Sequence, residues 1–240
     1  MEKKILIFAA TYNEAENIGS FIEKILKLNI NLDLLIVDDN SPDKTWEIVS
    51  SYKKENKNVI LIKRKCKQGL DTAHKFAFGY AKEHNYDYLI TLDADFSHDP
   101  TKIPYFIDEL KNKPFVIGSR YIKDGKNEMK LRRYLLSVFG NKIIKFVLGM
   151  DCDEFTSAYR GFNLNMLKNF DINKVYSKGY SFFMETVYLL HLKGNDIKQI
   201  PIRFRDRAKG DSKIPKIELF RTLKNLFFLK IKNQKSKNGK

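Results

Sequence analysis

The chain has 240 residues, 43% of them hydrophobic, which suits one α/β domain with a substantial core rather than two domains. Its net charge of +15 points to a polyanionic partner: nucleic acid, a phosphate-bearing substrate or an anionic membrane surface. Residues 203–240 contain thirteen basic and three acidic side chains, so +10 of that charge lies in this segment. A biased genome composition could enrich lysine generally, but it does not explain an excess this local.

Other features of the sequence argue against secreted, disulfide-bonded and membrane-spanning proteins. Cys66 and Cys152 lack metal-ligand spacing, which favours free thiols in a reducing cytosol. The N-terminus runs directly into a short apolar strand, so we expect no signal peptide. No apolar run approaches the roughly 18–20 residues that span a bilayer. We therefore expect a chain that is soluble or lies on a membrane without crossing it.

The first 120 residues alternate short apolar runs with helical patterns, which is typical of a parallel sheet covered by helices. The near-continuous apolarity of the strands suits burial on both faces of the sheet. The predicted strands are residues 5–10, 34–37, 59–62, 88–92 and 115–117. A helical stripe from Ile18 to Leu26 follows the first strand, and further helices are predicted at about 43–55, 70–84, 101–112, 131–148 and 185–193.

Polar residues follow the first predicted strand, at the sheet edge where such folds bind ligands. They are Thr11, Tyr12, Asn13 and Glu14. Tyr12 and Glu14 could contact a base or a ribose. Thr11 or Asn13 could equally serve only as the N-cap of the next helix.

A second polar cluster, Asp38-Asp39-Asn40-Ser41-Pro42-Asp43, follows the second predicted strand. Asp38 and Asp39 could accept hydrogen bonds from the N–H groups of a nucleobase. Ser41 or Asp43 could instead be a helix N-cap, with Pro42 in the first turn. Both interpretations can hold together, because the cap would leave the paired carboxylates available.

Asp93-Ala94-Asp95 follows the fourth predicted strand and is the strongest candidate for a metal site. In an extended chain residues i and i+2 point to the same side, so the two carboxylates could converge on one Mg²⁺ or Mn²⁺ ion. The alternative is that one aspartate caps the next helix and the other is solvated. His98 nearby could contact an acceptor phosphate or could be held by local hydrogen bonds.

Taken together, these motifs resemble the family 2 glycosyltransferases, and within them most closely the dolichol-phosphate (polyprenyl-phosphate) mannose synthases. The resemblance covers about residues 4–215. It is carried by Ala10-Thr11-Tyr12-Asn13-Glu14, Val37-Asp38-Asp39-Asn40-Ser41-Pro42-Asp43, Leu92-Asp93-Ala94-Asp95-Phe96-Ser97-His98 and Gly118-Ser119-Arg120-Tyr121, and it continues through Thr156-Ser157-Ala158-Tyr159-Arg160-Gly161-Phe162 and 201–213. Ala10, Asp71, Ala158 and Phe183 depart from the usual family pattern.

The resemblance implies a Rossmann-like nucleotide-diphospho-sugar transferase (GT-A) fold with a mostly parallel central sheet flanked by helices. It also implies roles for individual residues. The nucleotide sugar would be bound by Ala10, Tyr12, Glu14, Asp38, Asp39, Asp93, Ala94, Asp95, Arg120, Arg207 and Lys213, with Asp93 and Asp95 holding the metal and acting with Arg120 as the catalytic residues. The acceptor side would be formed by Arg132, Arg133, Ser137 and Glu185. An Arg fork matches phosphate oxygens, and a basic segment flanked by Gly210 could close over a nucleotide.

The activity that we expect is metal-dependent, inverting transfer of mannose from GDP-mannose to dolichyl or polyprenyl monophosphate on the cytoplasmic face of a membrane. Alternatives within the enzyme class are a UDP-sugar (glucose-type) polyprenyl-phosphate glycosyltransferase and a saccharide-acceptor enzyme of glycan assembly. A basic nucleic-acid-binding protein is the alternative outside it. We expect no nucleic acid partner, because the basic cluster is largely confined to the tail and the strand ends carry acids.

The end of the chain differs in character from the rest. Residues 1–213 would be the catalytic domain, and 214–231 an amphipathic basic helix. That helix could dock on the core, or could lie on a membrane surface or a membrane partner subunit, and its wide apolar stripe favours the second interpretation. Residues 232–240 are low in complexity and are predicted to be disordered.

Overall fold

In the computed structural model, the residues described are 3–205, 222 and 224–231. A seven-stranded sheet runs through the molecule in the order β3-β2-β1-β4-β7-β5-β8, with a separate two-stranded sheet of β6 and β9. The strands are β1 (Ile5–Thr11), β2 (Asp33–Asp38), β3 (Val59–Lys63), β4 (Tyr88–Thr91), β5 (Phe115–Ser119), β6 (Lys126–Asn127), β7 (Arg160–Asn163), β8 (Ile197–Pro201) and β9 (Arg203–Phe204).

Within residues 3–205, six α-helices pack around this sheet. They are α1 (Ala15–Leu26), α2 (Thr45–Glu55), α3 (Leu70–Glu83), α4 (Ile103–Leu110), α5 (Leu131–Leu148) and α6 (Tyr180–Leu192). Residues 222 and 224–231 are also helical. The predicted helix at 131–148 is confirmed in its bounds, whereas α6 begins five residues before the predicted residue 185.

The alternation of side chains along β1 explains how the helices are divided between the two faces of the sheet. Ile5 and Ile7 pack with α1, α2 and α4, whereas Leu6 and Phe8 pack with α3, α5 and α6. Leu226 of the terminal helical residues joins the second of these clusters. The strands are therefore buried on both faces, as their continuous apolarity predicts.

The predicted mostly parallel sheet is confirmed, with one strand of opposite direction. β7 is antiparallel to both of its neighbours, β4 and β5. Its sequence, Arg160-Gly161-Phe162-Asn163, contains no β-branched residue, so the apolar pattern that marks the other strands is missing. A Cβ at Gly161 would lie 2.9 Å from the Leu110 side chain, so this strand requires glycine where α4 crosses it.

Part of the predicted domain division lies outside the described residues. The boundary at 213/214 and the tail 232–240 are in this part of the chain. Of the helix predicted at 214–231, residues 222 and 224–231 are described and are helical. Among the described residues, no helix is both long enough and apolar enough to cross a membrane.

Candidate active site

The loop that follows β2 is built around the carboxylate of Asp38, which is fully buried. Its Oδ1 accepts a hydrogen bond from the Ser41 backbone N–H at 2.8 Å. Its Oδ2 accepts from the hydroxyls of Thr11 at 2.8 Å and Ser41 at 2.6 Å. Asp38 thus ties the end of β1 to the loop after β2, and its carboxylate is directed into the protein.

Asp39 organises the next loop along the sheet edge. Its side chain forms an ion pair with Arg64 at 2.8 Å, and both side chains are 9% exposed. The second carboxylate oxygen accepts hydrogen bonds from the backbone N–H groups of Gln68 and Gly69, at 3.2 and 3.1 Å. In this loop the Lys67 ammonium lies 3.8 Å from the centre of the Tyr12 ring. Asp39 therefore fixes the segment that places a cation over a predicted nucleoside contact.

The start of α1 is capped from the neighbouring loop rather than by Thr11 or Asn13, which was one of the two alternatives for that segment. The position before α1 is Glu14, which makes no side-chain capping bond. Asp43 instead accepts a hydrogen bond from the Ala15 N–H at 2.9 Å. The Glu14 N–H donates to the Thr45 hydroxyl at 2.9 Å. The two loops are thereby held together, with Tyr12 and Glu14 half-buried between them.

The Asp93-Ala94-Asp95 segment lies beyond the end of β4 at Thr91, and residues 94–98 are bends. Strand alternation therefore does not place the two carboxylates, which corrects the reasoning from the sequence. Asp95 is buried, and its Oδ1 accepts from the N–H and hydroxyl of Ser97, at 3.0 and 2.6 Å. The Asp93 side chain is 38% exposed. One carboxylate is thus anchored while the other faces a more open space.

His98 is packed under this segment rather than exposed. Its ring contacts those of Tyr159 and Phe204, with centroids 5.3 and 5.6 Å away. Its Nδ1 accepts a hydrogen bond from the Asp93 N–H at 3.3 Å. Burial lowers the pKa of His98 to about 4, opposed by the charge of Asp95 and aided by that of Arg120. The ring is therefore neutral at pH 7, which fits the expectation of a locally held residue.

Arg120, at the end of β5, is almost completely buried beside the carboxylates. Its Nε lies 3.2 Å from Glu154 Oε2, and its guanidinium donates to Thr156 Oγ1 at 3.2 Å. Its guanidinium carbon lies 4.4 Å from the centre of the Phe204 ring. Burial lowers the pKa of Arg120, but the charges of Glu154 and other groups, including Asp93, outweigh it and leave the pKa raised. A fixed positive charge therefore stands within electrostatic range of Asp93.

The residues at this edge fit a hard divalent cation that is shared with a substrate. Among residues 3–205, 222 and 224–231, His, Cys, Asp and Glu side chains do not form any metal-ligand group of three or more. Asp93 and Asp95 could supply two oxygen ligands to a divalent cation, and its other ligands would then come from water and from the substrate. Mg²⁺ commonly keeps several waters and binds one or two carboxylates plus substrate phosphates. A two-carboxylate site with Arg120 nearby fits that pattern.

The predicted acceptor-side residues fall into two groups. Ser137, on α5, is 2.5 Å from the Tyr121 hydroxyl and 3.5 Å from the Arg120 guanidinium. Glu185, on α6, is buried and accepts a hydrogen bond from the Ser177 N–H at 2.7 Å. Ser137 is therefore linked directly to Arg120, whereas the contact found for Glu185 is with the loop before its own helix.

The other two acceptor-side residues, Arg132 and Arg133, lie in the first turn of α5, exposed and half-buried respectively. A cavity of about 300 Å³ opens between α5 and the residues that follow β5. The cavity is lined by Arg120, Tyr121, Tyr134, Asn141, Lys142 and Lys145, among others. Asp153 also lines it and pairs with Lys145 at 2.8 Å. Arg120 thus borders both the carboxylate segment and this polar cavity.

The predicted phosphate contacts Arg207 and Lys213 lie outside the described residues. The chain that leads to them does reach the site, because the Arg205 N–H donates to the Ser97 carbonyl at 3.2 Å. Arg203 and Arg205 pair with Glu128, next to the small sheet of β6 and β9. Both arginines are exposed, Arg203 within β9 and Arg205 directly after it.

Several residues of the site were not assigned roles from the sequence. Glu154 is fully buried, pairs with Arg120 and accepts from the backbone N–H groups of Thr156 and Ser157, at 2.9 and 3.1 Å. Arg64 forms an ion pair with Asp39, and the Phe204 ring packs against the Arg120 guanidinium. An acid two positions before the Thr156-Ser157 motif was the available signal for Glu154. The pairing of Arg64 with Asp39 has no comparable signal, because 25 positions separate the two residues.

Comparison with known proteins gives a family match over the part of the chain that contains most of these residues. The sequence model of "Glycosyl transferase family 2" matches residues 6–170. An undecaprenyl-phosphate mannosyltransferase from Micrococcus luteus is 31% identical over 212 residues, covering 88% of this chain and 87% of that protein. A polyprenol monophosphomannose synthase from Mycolicibacterium smegmatis is 30% identical over 215 residues, covering 88% and 81%.

Solved structures share the fold at lower sequence identity. Glucosyl-3-phosphoglycerate synthase from Mycobacterium tuberculosis, in complex with Mn²⁺ and UDP, has a TM-score of 0.67 at 16% identity, covering 94% of this chain and 77% of that one. A mannosyltransferase from Pyrobaculum calidifontis, in complex with GDP-Man and Mn²⁺, has a TM-score of 0.58 at 15% identity, covering 88% and 59%. These likenesses establish the GT-A fold that was expected from the sequence.

Proposed function

This chain belongs to glycosyl transferase family 2 and is a glycosyltransferase, and we propose that it transfers mannose from GDP-mannose to a polyprenyl or dolichyl monophosphate. The observation that carries the proposal is the grouping of Asp93, Asp95 and Arg120 at the carboxyl edge of the sheet. Relatives covering most of the chain are named for mannosyl transfer to such lipids. We propose that the reaction depends on Mg²⁺ or Mn²⁺ and inverts the anomeric centre.

The nucleoside would bind where the loops after β1 and β2 meet. Tyr12, held under Lys67, offers a ring face to a base, and Glu14 lies half-buried in the same loop. Asp38 and Asp39 make their contacts mainly with the protein, so they would act chiefly by fixing the loops that form the pocket. Ala10, near the end of β1, and Ala94, in the bend after β4, are small and would leave room for the nucleotide.

The diphosphate would lie between the carboxylate segment and Arg120. When bound by Asp93 and Asp95, a divalent metal would neutralise phosphate charge and stabilise the departing nucleoside diphosphate. Arg120 would stabilise the same developing charge, and it is preorganised because Glu154 and Thr156 hold its guanidinium. Arg207 and Lys213, which follow the segment bonded to Ser97, would add phosphate contacts.

The acceptor requires little help from a base. A phosphate monoester has a second pKa near about 6, so a lipid phosphate is mostly dianionic at pH 7. Its oxygen can attack the anomeric carbon in line with the leaving group, which gives inversion. We propose that Ser137, Arg132 and Arg133 place this phosphate next to Arg120, and that Glu185 shapes the acceptor side by holding the Ser177 loop.

Such an acceptor resides in a membrane, so we propose a peripheral position on the cytoplasmic face. Residues 1–213 would form the catalytic domain, 214–231 a basic helix that docks on a membrane or a membrane partner, and 232–240 a disordered tail. In the described part of that helix Leu226 and Leu229 are buried, whereas Phe227, Phe228 and Ile231 are 56%, 62% and 54% exposed. One side thus packs on the core and the other remains for docking.

The proposal is tested by incubating the full chain with Mg²⁺ or Mn²⁺, a short polyprenyl phosphate and, separately, GDP-mannose, UDP-glucose and other nucleotide sugars. We expect a glycolipid with the mass of a hexosyl polyprenyl phosphate from GDP-mannose, and none after addition of a chelator. Absence of product from every donor would refute transfer to a lipid phosphate.

A UDP-sugar donor is the second candidate. It is favoured by the structural likeness to an enzyme solved with UDP and Mn²⁺. Calorimetric titration of GDP and UDP in the presence of Mn²⁺ separates the two donors. We expect tighter binding of GDP, and tighter Mn²⁺-dependent binding of UDP would contradict the mannose assignment.

A further inference from the structure

Helix α5 has an apolar surface that faces away from the protein. The side chains of Leu131, Leu135, Leu136, Phe139 and Phe146, here called the apolar face of α5, are 69%, 56%, 63%, 65% and 87% exposed. Positions 131, 135 and 139 are spaced by four, and 146 follows seven later, so they form one stripe along the helix. Monomeric soluble proteins rarely expose apolar patches this continuous without a binding partner.

The opposite side of α5 already provides its packing against the protein. Asn141, Ile144 and Leu148 are buried, and Ser137 contacts Tyr121. These four positions, 137, 141, 144 and 148, lie on the side of the helix opposite to the apolar face. On the side that faces away from the protein, an ordinary surface helix would carry polar residues. The apolar face is therefore not needed for packing in the described part of the chain.

The charges of α5 indicate what covers this face. Residues 129–150 contain five basic side chains, Lys130, Arg132, Arg133, Lys142 and Lys145, and no acid. Arg132 and Lys142 are exposed on the same side of the helix, among the residues of the apolar face. A helix that lies in the interface of an anionic membrane inserts its apolar side chains, while its long cationic side chains extend to the lipid headgroups. A second copy of the chain would bring two cationic helices together, which disfavours self-association through this face.

The length of α5 is also compatible with lying on a membrane. Its 18 residues extend over about 27 Å, and its four cations make it too polar to cross a bilayer. We infer that the apolar face of α5 inserts into the surface of an anionic lipid bilayer. The reason for such a contact rests on the proposed function, because the proposed acceptor, a polyprenyl phosphate, lies in the membrane surface. Ser137 and the cavity beside Arg120 would then adjoin the membrane.

Vesicle binding of the full chain tests this inference without any turnover. We expect cosedimentation with vesicles of phosphatidylcholine and phosphatidylglycerol, weaker binding to phosphatidylcholine alone, and a loss of binding as salt is raised. The double variant Phe139→Ser/Phe146→Ser should bind at least about tenfold more weakly, because two inserted rings are lost. The matched control is Tyr105→Ser/Met166→Ser, which removes two exposed apolar side chains elsewhere and should bind like the unaltered chain.

Three outcomes would overturn the inference. One is failure of the unaltered chain to bind anionic vesicles. Another is unchanged binding by Phe139→Ser/Phe146→Ser together with a loss in Phe227→Ser/Phe228→Ser, which would assign the contact to the terminal helical residues. The third is a concentration-dependent dimer that only the α5 variant abolishes, with vesicle binding unaffected.

Turnover measurements separate this inference from the proposed function. With a short, water-soluble polyprenyl phosphate, Phe139→Ser/Phe146→Ser should react like the unaltered chain, because neither ring belongs to the candidate active site. With a long-chain acceptor in vesicles its rate should fall about tenfold. If no acceptor reacts, the proposed function fails, while vesicle binding alone still decides the role of the apolar face.

Discussion

The loops after β1 and β2 and helix α5 both border the candidate site, but the loops and the apolar face of α5 differ in what stabilises them. In the loops, buried carboxylates such as Asp38 and Asp39 accept several hydrogen bonds or ion pairs from the protein. On α5, large apolar side chains such as Phe146 remain in water. The polar groups of the loops are satisfied within the protein, whereas the apolar side chains of α5 would be buried only by a binding partner. The loops proposed to bind the donor thus lie near the helix proposed to contact the membrane.

The largest effect on the donor side is expected from Asp95→Asn. Removal of the charge should weaken metal binding and slow transfer by roughly 100- to 1,000-fold, as when one preorganised electrostatic contact to a developing charge is lost. Initial rates at saturating donor measure this loss. Because the amide oxygen can still accept from Ser97, urea unfolding should change little.

The matched control for that variant is Asp99→Asn, four residues further on. Asp99 accepts a hydrogen bond from the Thr101 N–H, at the start of the turn before α4. The Asp99→Asn variant should retain nearly full turnover. Full activity of Asp95→Asn would refute the metal role.

A smaller loss is expected from Arg120→Lys. Lysine keeps the charge but loses the planar fork that reaches Glu154 and Thr156 together. We expect kcat to fall about 10- to 100-fold with a lesser change in the KM for the donor, because the contact strengthens as the diphosphate departs. Arg205→Lys, at an exposed arginine beside Glu128, is the control. An effect on KM alone would contradict a role in the transition state.

Asp38→Asn tests whether the donor loops are held by their own hydrogen bonds. The amide would keep one acceptor and replace the other with a donor, while three protein groups donate to the present carboxylate. Hydrogen bonds to charged groups contribute about 1.5–3 kcal/mol, so we expect a loss of about 2 kcal/mol in the free energy of unfolding. Asp108→Asn breaks only an exposed ion pair with Lys111 and should change the free energy of unfolding far less. Equal losses would indicate that Asp38 has no special structural role.

The smallest effect concerns His74, a buried residue of α3 whose ring packs against those of Phe8 and Phe183. Burial and, to a lesser extent, the charge of Arg160 lower its pKa from 6.5 to about 3. In the unfolded chain His74 therefore binds a proton below about pH 6.5, whereas in the folded chain it binds one only below about pH 3. Stability should fall as the pH drops through this window, by about 1.4 kcal/mol per pH unit.

Urea unfolding at pH 7 and pH 5.5 measures this effect. His74→Leu should be less sensitive to the change in pH than the unaltered chain, although it starts from its own stability at pH 7. An identical pH dependence in the two proteins would mean that folding does not lower the pKa of His74.

The two regions also differ in how well the sequence predicted them. Strands β1 to β4 were recognisable because burial on both faces demands continuous apolar runs, and the polar loops necessarily follow them. β7 was missed because Arg160 and Gly161 interrupt that pattern. The bounds of α5 were predicted, but not its exposed face, because periodicity alone does not distinguish a stripe that packs on the core from one that faces outward.

Within the site, the sequence identified which residue types gather at the sheet edge but not how they pair. Asp39 meets Arg64, and Arg120 meets Glu154, across 25 and 34 positions of sequence. Such pairs depend on tertiary packing. The orientation of Asp95 also depended on bends after β4 that an extended-strand argument could not describe.

The most direct test of a phosphate nucleophile attacking a nucleotide-bound mannose is the structure of the product. Nuclear magnetic resonance of the glycolipid formed from GDP-mannose should show the anomeric carbon bonded to the lipid phosphate, in the configuration opposite to that of the donor. Retained configuration, or a sugar attached through any atom other than the phosphate oxygen, would contradict it.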